Sequence, residues 1–279
     1  MNKLSIITIN YNDRSGLEKT IESVINQTYK NFQYVVIDGG STDGSKEVLD
    51  RYKDRLDVAI SEKDSGIYNA MNKGASYANG EYMLFLNSGD VLYDNTTLEK
   101  LSIESFRDDI ICGRILIYSE KDNFITYPPE HISLFTFIGG SLPHPSSFIK
   151  RNLFEKIGGY KEEYRIISDW CFFVEALLIH RCSYLTIINV VSKFNRFGIS
   201  STMGYTEEDM KKDFLISLFG NIVNDYIPVK DEALSNCMYW ISAQSGIWGK
   251  LLRLPFKVLN RALKLRNRLK RRIGMDLVN

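Results

Sequence analysis

One apolar stretch, residues 81–90, constrains the fold more than any other part of the sequence. Its sequence is EYMLFLNSGD, in which five apolar or aromatic residues are followed at once by turn-forming residues. A short apolar run with such an ending is typical of a buried strand. In an open α/β sheet, ligands bind beyond the carboxyl ends of the strands. We therefore expect Asp90 to lie at the edge of a binding crevice, where it could hold a divalent metal ion against a diphosphate.

The residues before this stretch alternate between strand and helix patterns. Predicted strands cover residues 4–10, 32–38, 58–60 and 81–86, and predicted helices cover residues 15–26, 46–52 and 67–78. Ser15 and Glu18 have the spacing of a capping box at the start of the first helix, and Ser41 or Asp43 could cap the second. This alternation predicts an α/β fold with a mainly parallel central sheet, right-handed crossovers and flanking helices.

The pattern is less regular after Asp90. Predicted helices cover residues 98–101, 153–157, 169–180, 207–225 and 231–245, predicted strands cover 110–118, 124–127 and 184–191, and residues 142–149 are predicted to be a strand or loop fixed by prolines. The second half of the chain therefore carries fewer crossover units than the first half.

The composition is that of an ordinary globular protein, with 44% hydrophobic and 25% charged residues in a chain of 279. No run approaches the roughly 18–20 apolar residues that a membrane-spanning helix needs. The four cysteines are widely spaced and form no CxxC pair, and a strand pattern begins directly after Lys3. We therefore expect no targeting peptide, and reduced cysteines in a cytoplasmic protein.

The charge is distributed unevenly along the chain. Residues 246–279 carry ten Lys or Arg and one acid, a net charge of +9, which leaves −8 for residues 1–245. An acidic body is not typical of a nucleic-acid-binding domain, so we expect no nucleic-acid partner. Leucines and other apolar residues alternate with the basic residues of the tail, which is typical of a helix on an anionic membrane surface. The alternative is a solvated helix packed on the domain; we favour the membrane surface, and hence a peripheral location on the inner face of the cell membrane.

Polar residues stand at the ends of the four predicted strands in the first half. They are Thr8, Asn10 and Tyr11 after the first strand, Asp38 after the second, Asp64 after the third and Asp90 after the fourth. Each acid alone could cap the helix that follows it. Taken together they favour a ligand site, because buried carboxylates without partners are destabilising and parallel strands bring their carboxyl ends to one edge.

Four motifs in this order resemble those of the family 2 inverting glycosyltransferases with a GT-A fold. They are LSIITINYN at residues 4–12, QTYKNFQYVVIDGGSTDG at 27–44, DSGIYNAMNKG at 64–74 and LNSGD at 86–90. The resemblance covers about residues 4–200 and is far more specific than one short motif. It implies a nucleotide-sugar donor, usually UDP-linked, and Mg²⁺ or Mn²⁺ bridging the diphosphate.

The resemblance also implies roles for individual residues. Thr8, Asn10 and Tyr11 would line the nucleoside pocket, Asp38 would contact the nucleoside, Asp64 and Asn72 would lie along the donor, and Asp90 would be the last acid of a DXD-type metal motif. The sequence departs from that motif because Asn87 or Ser88 stands where its first acid is usual. Asn87 could still ligate a metal through its carbonyl oxygen or a bound water.

Asp169 is the candidate catalytic base. An inverting transferase needs a group that takes the proton from the acceptor hydroxyl, and a carboxylate suits this step. The resembling family has its base after a Gly-Gly-Tyr/Phe turn, which Gly158, Gly159 and Tyr160 supply here. The alternative, which the residue pattern alone favours, is that Asp169 caps the following helix.

Three further residues are candidates for the acceptor or phosphate side. His144 lies between Pro143 and Pro145, where a role in the site and a structural role are equally plausible. Arg196 and Ser200 belong to a segment that, by the resemblance, closes over the donor; a loop without a role is the alternative.

These features predict three parts of the chain and one leading function. The parts are a GT-A domain at 1–205, with a nucleotide-binding half of about 1–95 and an acceptor half of about 96–205, a helical extension at 206–245 and the basic tail at 246–279. By the resemblance, the function is inverting transfer of a sugar from a nucleotide-sugar donor, UDP-linked in the favoured case, to a hydroxyl of a lipid-linked or polysaccharide acceptor in surface polysaccharide biosynthesis. The alternatives are a nucleotidyltransferase, which would show a Gly-rich phosphate loop after the first strand, and a non-catalytic protein that binds nucleotide sugars.

Overall fold

The structure, a computed structural model, describes residues 3–118, 123–195 and 205–225. Most of these residues belong to one compact unit, whereas residues 129–140 belong to a second unit and are treated by themselves. Within the described residues, no helix has the length and apolarity required to cross a membrane. The predicted helix at 231–245 and the tail at 246–279 lie outside the described residues, and the predicted boundaries at 205 and 245 stay predictions.

The first half of the chain has the predicted alternation of strands and helices. Its elements are β1 (Leu4–Asn10), α1 (Arg14–Ile25), β2 (Phe32–Asp38), α2 (Ser45–Tyr52), β3 (Val58–Ser61), α3 (Ile67–Tyr77) and β4 (Tyr82–Phe85). β1 pairs in parallel with β2 and with β4, and β2 pairs in parallel with β3. The carboxyl ends of these four strands therefore meet at one edge of the sheet, as the sequence predicted.

The second half adds strands of both directions. Its elements are β5 (Val91–Leu92), α4 (Thr97–Lys100), β6 (Ile110–Tyr118), β7 (Asn123–Thr126), α5 (Leu134–Ile138), β8 (Ser147–Lys150), α6 (Arg151–Ile157), α7 (Ser168–Val174) with a π-helical turn at Glu175–Ile179, β9 (Tyr184–Asn195) and α8 (Tyr205–Phe219). α5 belongs to the second unit and begins with a capping box formed by Ser133 and Thr136. The sequence did not reveal β5 or α5, because two residues and five residues are too few for a periodic pattern.

The strands form one mixed sheet in the order β3-β2-β1-β4-β8-β6-β9-β5, with β7 beside β6. β8 runs antiparallel to β4, with Leu84 opposite Phe148. The start of β8 therefore lies next to the carboxyl end of β4. This arrangement brings the residues just before β8 to the same edge as the strand ends of the first half.

The helix starts differ from both predicted caps. α2 begins at Ser45 with Gly44 as its N-cap, so the predicted cap at Ser41 or Asp43 is wrong. α1 begins at Arg14 rather than after Ser15, and Asp13 is its cap, with Oδ1 accepting the Gly16 N–H at 3.0 Å. Glu18 forms an ion pair with Arg51 instead, so the predicted capping box is wrong. Asp13 caps the helix because its short carboxylate reaches the N–H groups of the first turn, whereas Ser15 already lies within the helix.

The side chains of β1 alternate between two layers of the core. Leu4 and Ile6 pack in a cluster with Leu17 of α1 on one face of the sheet. Ile7 points to the other face, where a Cβ added to Gly74 of α3 would lie 2.5 Å from its Cγ2. A fully buried aliphatic side chain contributes roughly 1.5–3 kcal/mol, so helices on both faces hold the strand ends in fixed positions.

Gly80 allows the chain to enter β4 beside β1. A Cβ at this position would lie 2.5 Å from both the Leu4 carbonyl carbon and the Ser5 nitrogen. The Gly80 N–H donates to Ser5 Oγ at 2.8 Å. Because β1 is paired on both sides, its backbone cannot move away from an added methyl group.

We expect the Gly80→Ala protein to be less stable than the wild type by about 1–3 kcal/mol, the usual cost of overpacking. The free energy of unfolding is measured by urea titration. Ser76→Ala, on the exposed side of α3, is the control and should change stability by less than about 0.5 kcal/mol. Equal stability of the two variants would contradict the tight approach of β4 to β1.

Candidate active site

The loop after β4 carries a buried carboxylate without a partner. Asp90 is 7% exposed, and no described residue donates a hydrogen bond to its carboxylate or forms an ion pair with it. Burial raises the pKa of Asp90 well above its usual range. The nearby Asn87 Oδ1 and Ser88 Oγ are also buried without a hydrogen-bond partner among the described residues. Three such oxygen-bearing groups in one loop fit a hard divalent cation, which prefers oxygen ligands.

Among the described residues there is no cluster of three or more His, Cys, Asp or Glu that could enclose a metal ion. The residues of this loop therefore fit a cation that is held by one carboxylate and neutral oxygens. The substrate would supply further ligands, as is usual for Mg²⁺. Tyr118 lies at the end of β6, near Asp90. Burial raises the pKa of Tyr118, and the negative charge of Asp90 raises it further.

Thr20 of α1 fixes this loop, and the sequence analysis did not single it out. The buried Thr20 hydroxyl accepts the Gly89 N–H at 3.0 Å and lies 2.7 Å from the Asp90 carbonyl oxygen, to which it donates. Ser23 Oγ, one turn further along α1, accepts the Leu92 N–H at 3.2 Å. Hydroxyls at spacing i and i+3 on one helix were the signal that sequence reasoning could have used.

Asp38, at the end of β2, is buried but fully paired. Its carboxylate accepts hydrogen bonds from Asn10 Nδ2 at 2.7 Å, Ser61 Oγ at 2.7 Å, and Ser41 N and Oγ at 3.0 and 2.5 Å. Burial raises the pKa of Asp38, but the hydrogen bonds from Ser41, Ser61 and Asn10 outweigh it, so the pKa is lowered. These bonds favour a supporting role for Asp38, and direct contact with a nucleoside stays a prediction.

The end of β1 brings one buried and one exposed side chain to the edge. Asn10 is 4% exposed, and its Oδ1 has no partner among the described residues. Tyr11 is 64% exposed, and an exposed ring can stack on a nucleobase. Thr8 is fully buried and donates its hydroxyl hydrogen to the Leu86 carbonyl oxygen at 2.8 Å. Thr8 therefore ties β1 to the start of the Asp90 loop, and its contact with a donor stays a prediction.

Asp64 lies beside the Gly39-Gly40 turn that follows β2. A Cβ on Gly39 would be 2.5 Å from Asp64 Oδ2, so a larger residue there would displace this carboxylate from its position. Asp64 Oδ1 accepts the Gly66 N–H at 3.0 Å at the entrance to α3. The loops after β2 and β3 therefore meet, as the sequence predicted for residues at one sheet edge.

Asp169 lies in the first turn of α7 and is held by a tyrosine. The cap of α7 is Ile167, so the alternative that Asp169 caps the helix is wrong, although a carboxylate in the first turn still favours the helix dipole. The Tyr68 hydroxyl donates to Asp169 Oδ1 at 2.7 Å. The other carboxylate oxygen, Oδ2, accepts no hydrogen bond from the described residues and is left for another donor.

His144 lies in an aromatic cluster next to Asp169. Its ring stacks on Phe85 with centroids 5.3 Å apart and planes at 20°, and its Nε2 is 2.7 Å from the Tyr160 hydroxyl oxygen. Burial lowers the pKa of His144, and the nearby charge of Asp169 only partly opposes this, so the imidazole is neutral at pH 7. Phe85 is the last residue of β4, two residues before Asn87. β4 therefore connects the two parts of the candidate site. Its last residue, Phe85, packs in the aromatic cluster near Asp169, and the Asp90 loop follows it directly.

Asn72 joins α3 to the Gly-Gly-Tyr turn. Its Oδ1 accepts the Tyr160 N–H at 2.9 Å, and its Nδ2 donates to the Tyr160 carbonyl oxygen at 2.8 Å. Gly159 has φ +74°, and a Cβ there would lie 2.9 Å from Asn72 Oδ1. These contacts favour a positioning role for Asn72, and its predicted contact with the donor stays a prediction. Arg196 and Ser200 lie outside the described residues.

Comparison with known proteins gives a family and a fold. The family model described as glycosyl transferase family 2 matches residues 5–170. A PGL/p-HBAD biosynthesis glycosyltransferase of Mycobacterium bovis is 30% identical over 221 residues, which cover 76% of this chain and 82% of that protein.

Two solved structures share the fold at low sequence identity. One is S. aureus TarS 1-349 in complex with UDP-GlcNAc, with a TM-score of 0.64 at 18% identity over 85% of this chain and 70% of that chain. The other is mannosyltransferase PcManGT from Pyrobaculum calidifontis in complex with GDP-Man and Mn²⁺, with a TM-score of 0.56 at 15% identity over 92% and 80%. These likenesses confirm the predicted GT-A fold. Because the family model spans more than half of the sequence, the chain belongs to glycosyl transferase family 2 and is a glycosyltransferase.

Proposed function

We propose that the protein transfers a sugar from a UDP-linked donor to a hydroxyl group of a saccharide or lipid-linked acceptor, with inversion at the anomeric carbon. The observation that carries the proposal is the geometry of the Asp169 carboxylate. Tyr68 donates to one oxygen at 2.7 Å, and the other oxygen accepts no hydrogen bond from the part of the chain that the structure describes. Asp169 Oδ2 takes the proton of the acceptor hydroxyl as its oxygen attacks the sugar. A single displacement from the face opposite the leaving diphosphate inverts the configuration.

The donor binds at the carboxyl ends of β1 to β4 in this proposal. Tyr11 stacks on the base, Asn10 and the Ser41 loop around Asp38 contact the nucleoside, and Asp64 faces the sugar side. UDP-GlcNAc in TarS and GDP-Man in PcManGT support a nucleotide sugar as the donor class. We favour uridine because of the motif resemblance described above.

Asp90 binds Mg²⁺ or Mn²⁺ together with Asn87 and Ser88 in this proposal. The support is the set of buried oxygen atoms without partners, and the Mn²⁺ in the PcManGT structure agrees with it. When bound, such an ion would supply positive charge that stabilises the departing diphosphate. Thr20 keeps the loop in place through its bonds to Gly89 and Asp90.

The acceptor in this proposal is a growing glycan on a lipid. The name of the mycobacterial relative refers to a glycosyltransferase of PGL/p-HBAD biosynthesis. The +9 charge of residues 246–279 supports binding to an anionic membrane surface, where a lipid-linked acceptor would be present. The two alternatives considered from the sequence were a nucleotidyltransferase and a non-catalytic protein that binds nucleotide sugars. The chain belongs to a glycosyltransferase family, and no observation favours either alternative.

We expect UDP with Mn²⁺ to raise the melting temperature, because a ligand at a hundred times its Kd adds about 2.7 kcal/mol to stability. A thermal-shift panel of UDP, GDP and UDP-sugars, each with and without Mn²⁺, measures this. Asp90→Asn should abolish the Mn²⁺-dependent part of the shift. Stabilisation by GDP but not by UDP would contradict the uridine donor. Equal stabilisation by UDP with and without Mn²⁺ would contradict the metal site.

Two controls separate lost metal binding from lost folding in this panel. Without metal, Asp90→Asn should be at least as stable as the wild type, because it removes an unpaired buried charge. Asp50→Asn, an exposed acid of α2, should respond to UDP and Mn²⁺ like the wild type.

We expect Asp169→Asn to lower kcat for transfer, or for hydrolysis of the nucleotide sugar, by at least about a hundredfold, because general bases contribute about 10²–10⁴. Binding of UDP with Mn²⁺, measured by calorimetry, should change less than twofold. Normal turnover by this variant would exclude Asp169 as the base. Lost UDP binding would instead assign Asp169 to the donor site.

We expect the full chain to sediment with vesicles that contain anionic phosphatidylserine and to be released at high salt, because salt screens the attraction of the basic tail. Vesicles of neutral phosphatidylcholine are the control and should bind little protein. Equal binding to both lipids would refute the electrostatic attachment.

A further inference from the structure

One side of α3 is bonded to the segment that carries the candidate base. Asn69 Nδ2 donates to Glu162 Oε2 at 3.0 Å, and Asn72 pairs with the Tyr160 backbone as described above. Tyr68, next to Asn69, donates to Asp169 itself. The three contacts lie within five residues of α3, so this helix determines where residues 160–169 lie.

Tyr68 is well placed to fix a carboxylate. It is 6% exposed, and its ring packs against the Tyr160 ring with centroids 5.5 Å apart. Burial, followed by the charge and hydrogen bond of Asp169, raises the pKa of Tyr68, so its hydroxyl stays protonated in any physiological buffer. The hydroxyl is therefore a permanent hydrogen-bond donor with a fixed position.

The carboxylate of an aspartate rotates readily about its last torsion, which exchanges its two oxygens. A single strong hydrogen bond removes this freedom, because one oxygen is then held and the other points in a defined direction. Precise orientation of a reacting group is a large part of the rate that an enzyme achieves. A tyrosine that orients the base would thus act on the rate of transfer and leave donor binding unchanged.

We propose that Tyr68 is a positioning residue for sugar transfer, which holds Asp169 Oδ1 so that Oδ2 faces the acceptor hydroxyl. This inference rests on the proposed function, in which Asp169 is the base. In the step, the acceptor oxygen forms a bond to the anomeric carbon, and its proton moves to Asp169 Oδ2. The bond from the anomeric carbon to the diphosphate oxygen breaks, and its electron pair leaves with the nucleoside diphosphate. Tyr68 keeps its own proton throughout.

Tyr68 also lies close in sequence to the donor side of the site. It is the second residue of α3, and Asp64 accepts a hydrogen bond from Gly66, the residue at the N-cap of that helix. The start of α3 therefore carries two groups of the proposed site. They are the Asp64 loop, which faces the donor sugar in the proposal, and the Tyr68 hydroxyl, which orients the base. Tyrosine has no advantage in helix propensity in the first turn of α3. The contact with Asp169 is therefore a better explanation for Tyr68 at this position.

The test compares Tyr68→Phe with Tyr52→Phe, which removes the same hydroxyl from a tyrosine–carboxylate pair elsewhere. Tyr52 donates to Glu22 Oε1 at 2.9 Å in an exposed contact between α2 and α1. The assay follows release of UDP from the UDP-sugar that stabilises the protein most in the thermal-shift panel above. Calorimetry with UDP and Mn²⁺ reports on the donor site, and thermal melting reports on folding.

We expect Tyr68→Phe to lower kcat by about ten- to a hundredfold, as for loss of a hydrogen bond to a charged group. The KM for the donor and the affinity for UDP should stay within twofold, and Tyr52→Phe should match the wild type in all three. A raised KM with normal kcat would show that Tyr68 binds the donor instead. Normal kcat and KM would overturn the inference.

Asp169→Asn, measured in parallel, separates this inference from the proposed function. If Asp169→Asn retains full turnover, the proposed base is wrong whatever Tyr68→Phe does. If Asp169→Asn loses turnover but Tyr68→Phe does not, the base assignment stands and the role of Tyr68 falls. In the Asp169→Asn background, Tyr68→Phe should lower the residual kcat less than twofold. A further tenfold loss there would show that Tyr68 acts independently of Asp169, and this comparison remains valid if both single variants are less stable.

Discussion

β4 pairs with a parallel strand, β1, on one side and with an antiparallel strand, β8, on the other, and the candidate site depends on this junction. The parallel neighbour aligns the end of β4 with the ends of β1, β2 and β3. The antiparallel neighbour reverses the chain, so that His144, just before β8, stacks on Phe85 at the end of β4. β4 thereby adjoins both groups of candidate residues. The Asp90 loop follows β4 in sequence, and the Asp169 cluster contacts Phe85 through His144.

The strand ends illustrate how the same residue type acquires opposite properties. Asp38 and Asp90 both follow buried strands of the parallel half and are themselves buried. Asp38 accepts four hydrogen bonds, which keep it ionised as part of the scaffold. Asp90 has none from the described residues, so its charge lacks the compensation that Asp38 has. A paired carboxylate contributes to stability, whereas an unpaired buried one is destabilising by itself.

The sequence was sufficient for the strands and helices of the first half, because buried parallel strands are continuous apolar runs with turn residues at their ends. It was also sufficient to name Asp90, which follows a predicted strand, whereas Asp169 was named through the family resemblance because its pattern alone favoured a helix cap. It could not reveal the role of Thr20, whose bonds to Gly89 and Asp90 span about 70 residues of chain. Nor could it distinguish the supporting contacts of Thr8, Asp38 and Asn72 from contacts with a donor, because hydrogen-bond saturation is a tertiary property.

The short strand β5 has a consequence for how this loop can change in evolution. Val91 and Leu92 pair with Lys193 and Ser192 of β9, directly after Asp90, while the preceding strand β4 is fixed in the middle of the sheet. The segment between β4 and β5 is thus anchored at both ends in the same sheet. Side chains alternate along a strand, so a one-residue slip of β5 against β9 would turn Val91 and Leu92 to the wrong faces. An inserted or deleted residue that keeps this pairing must therefore be accommodated within residues 86–90 themselves.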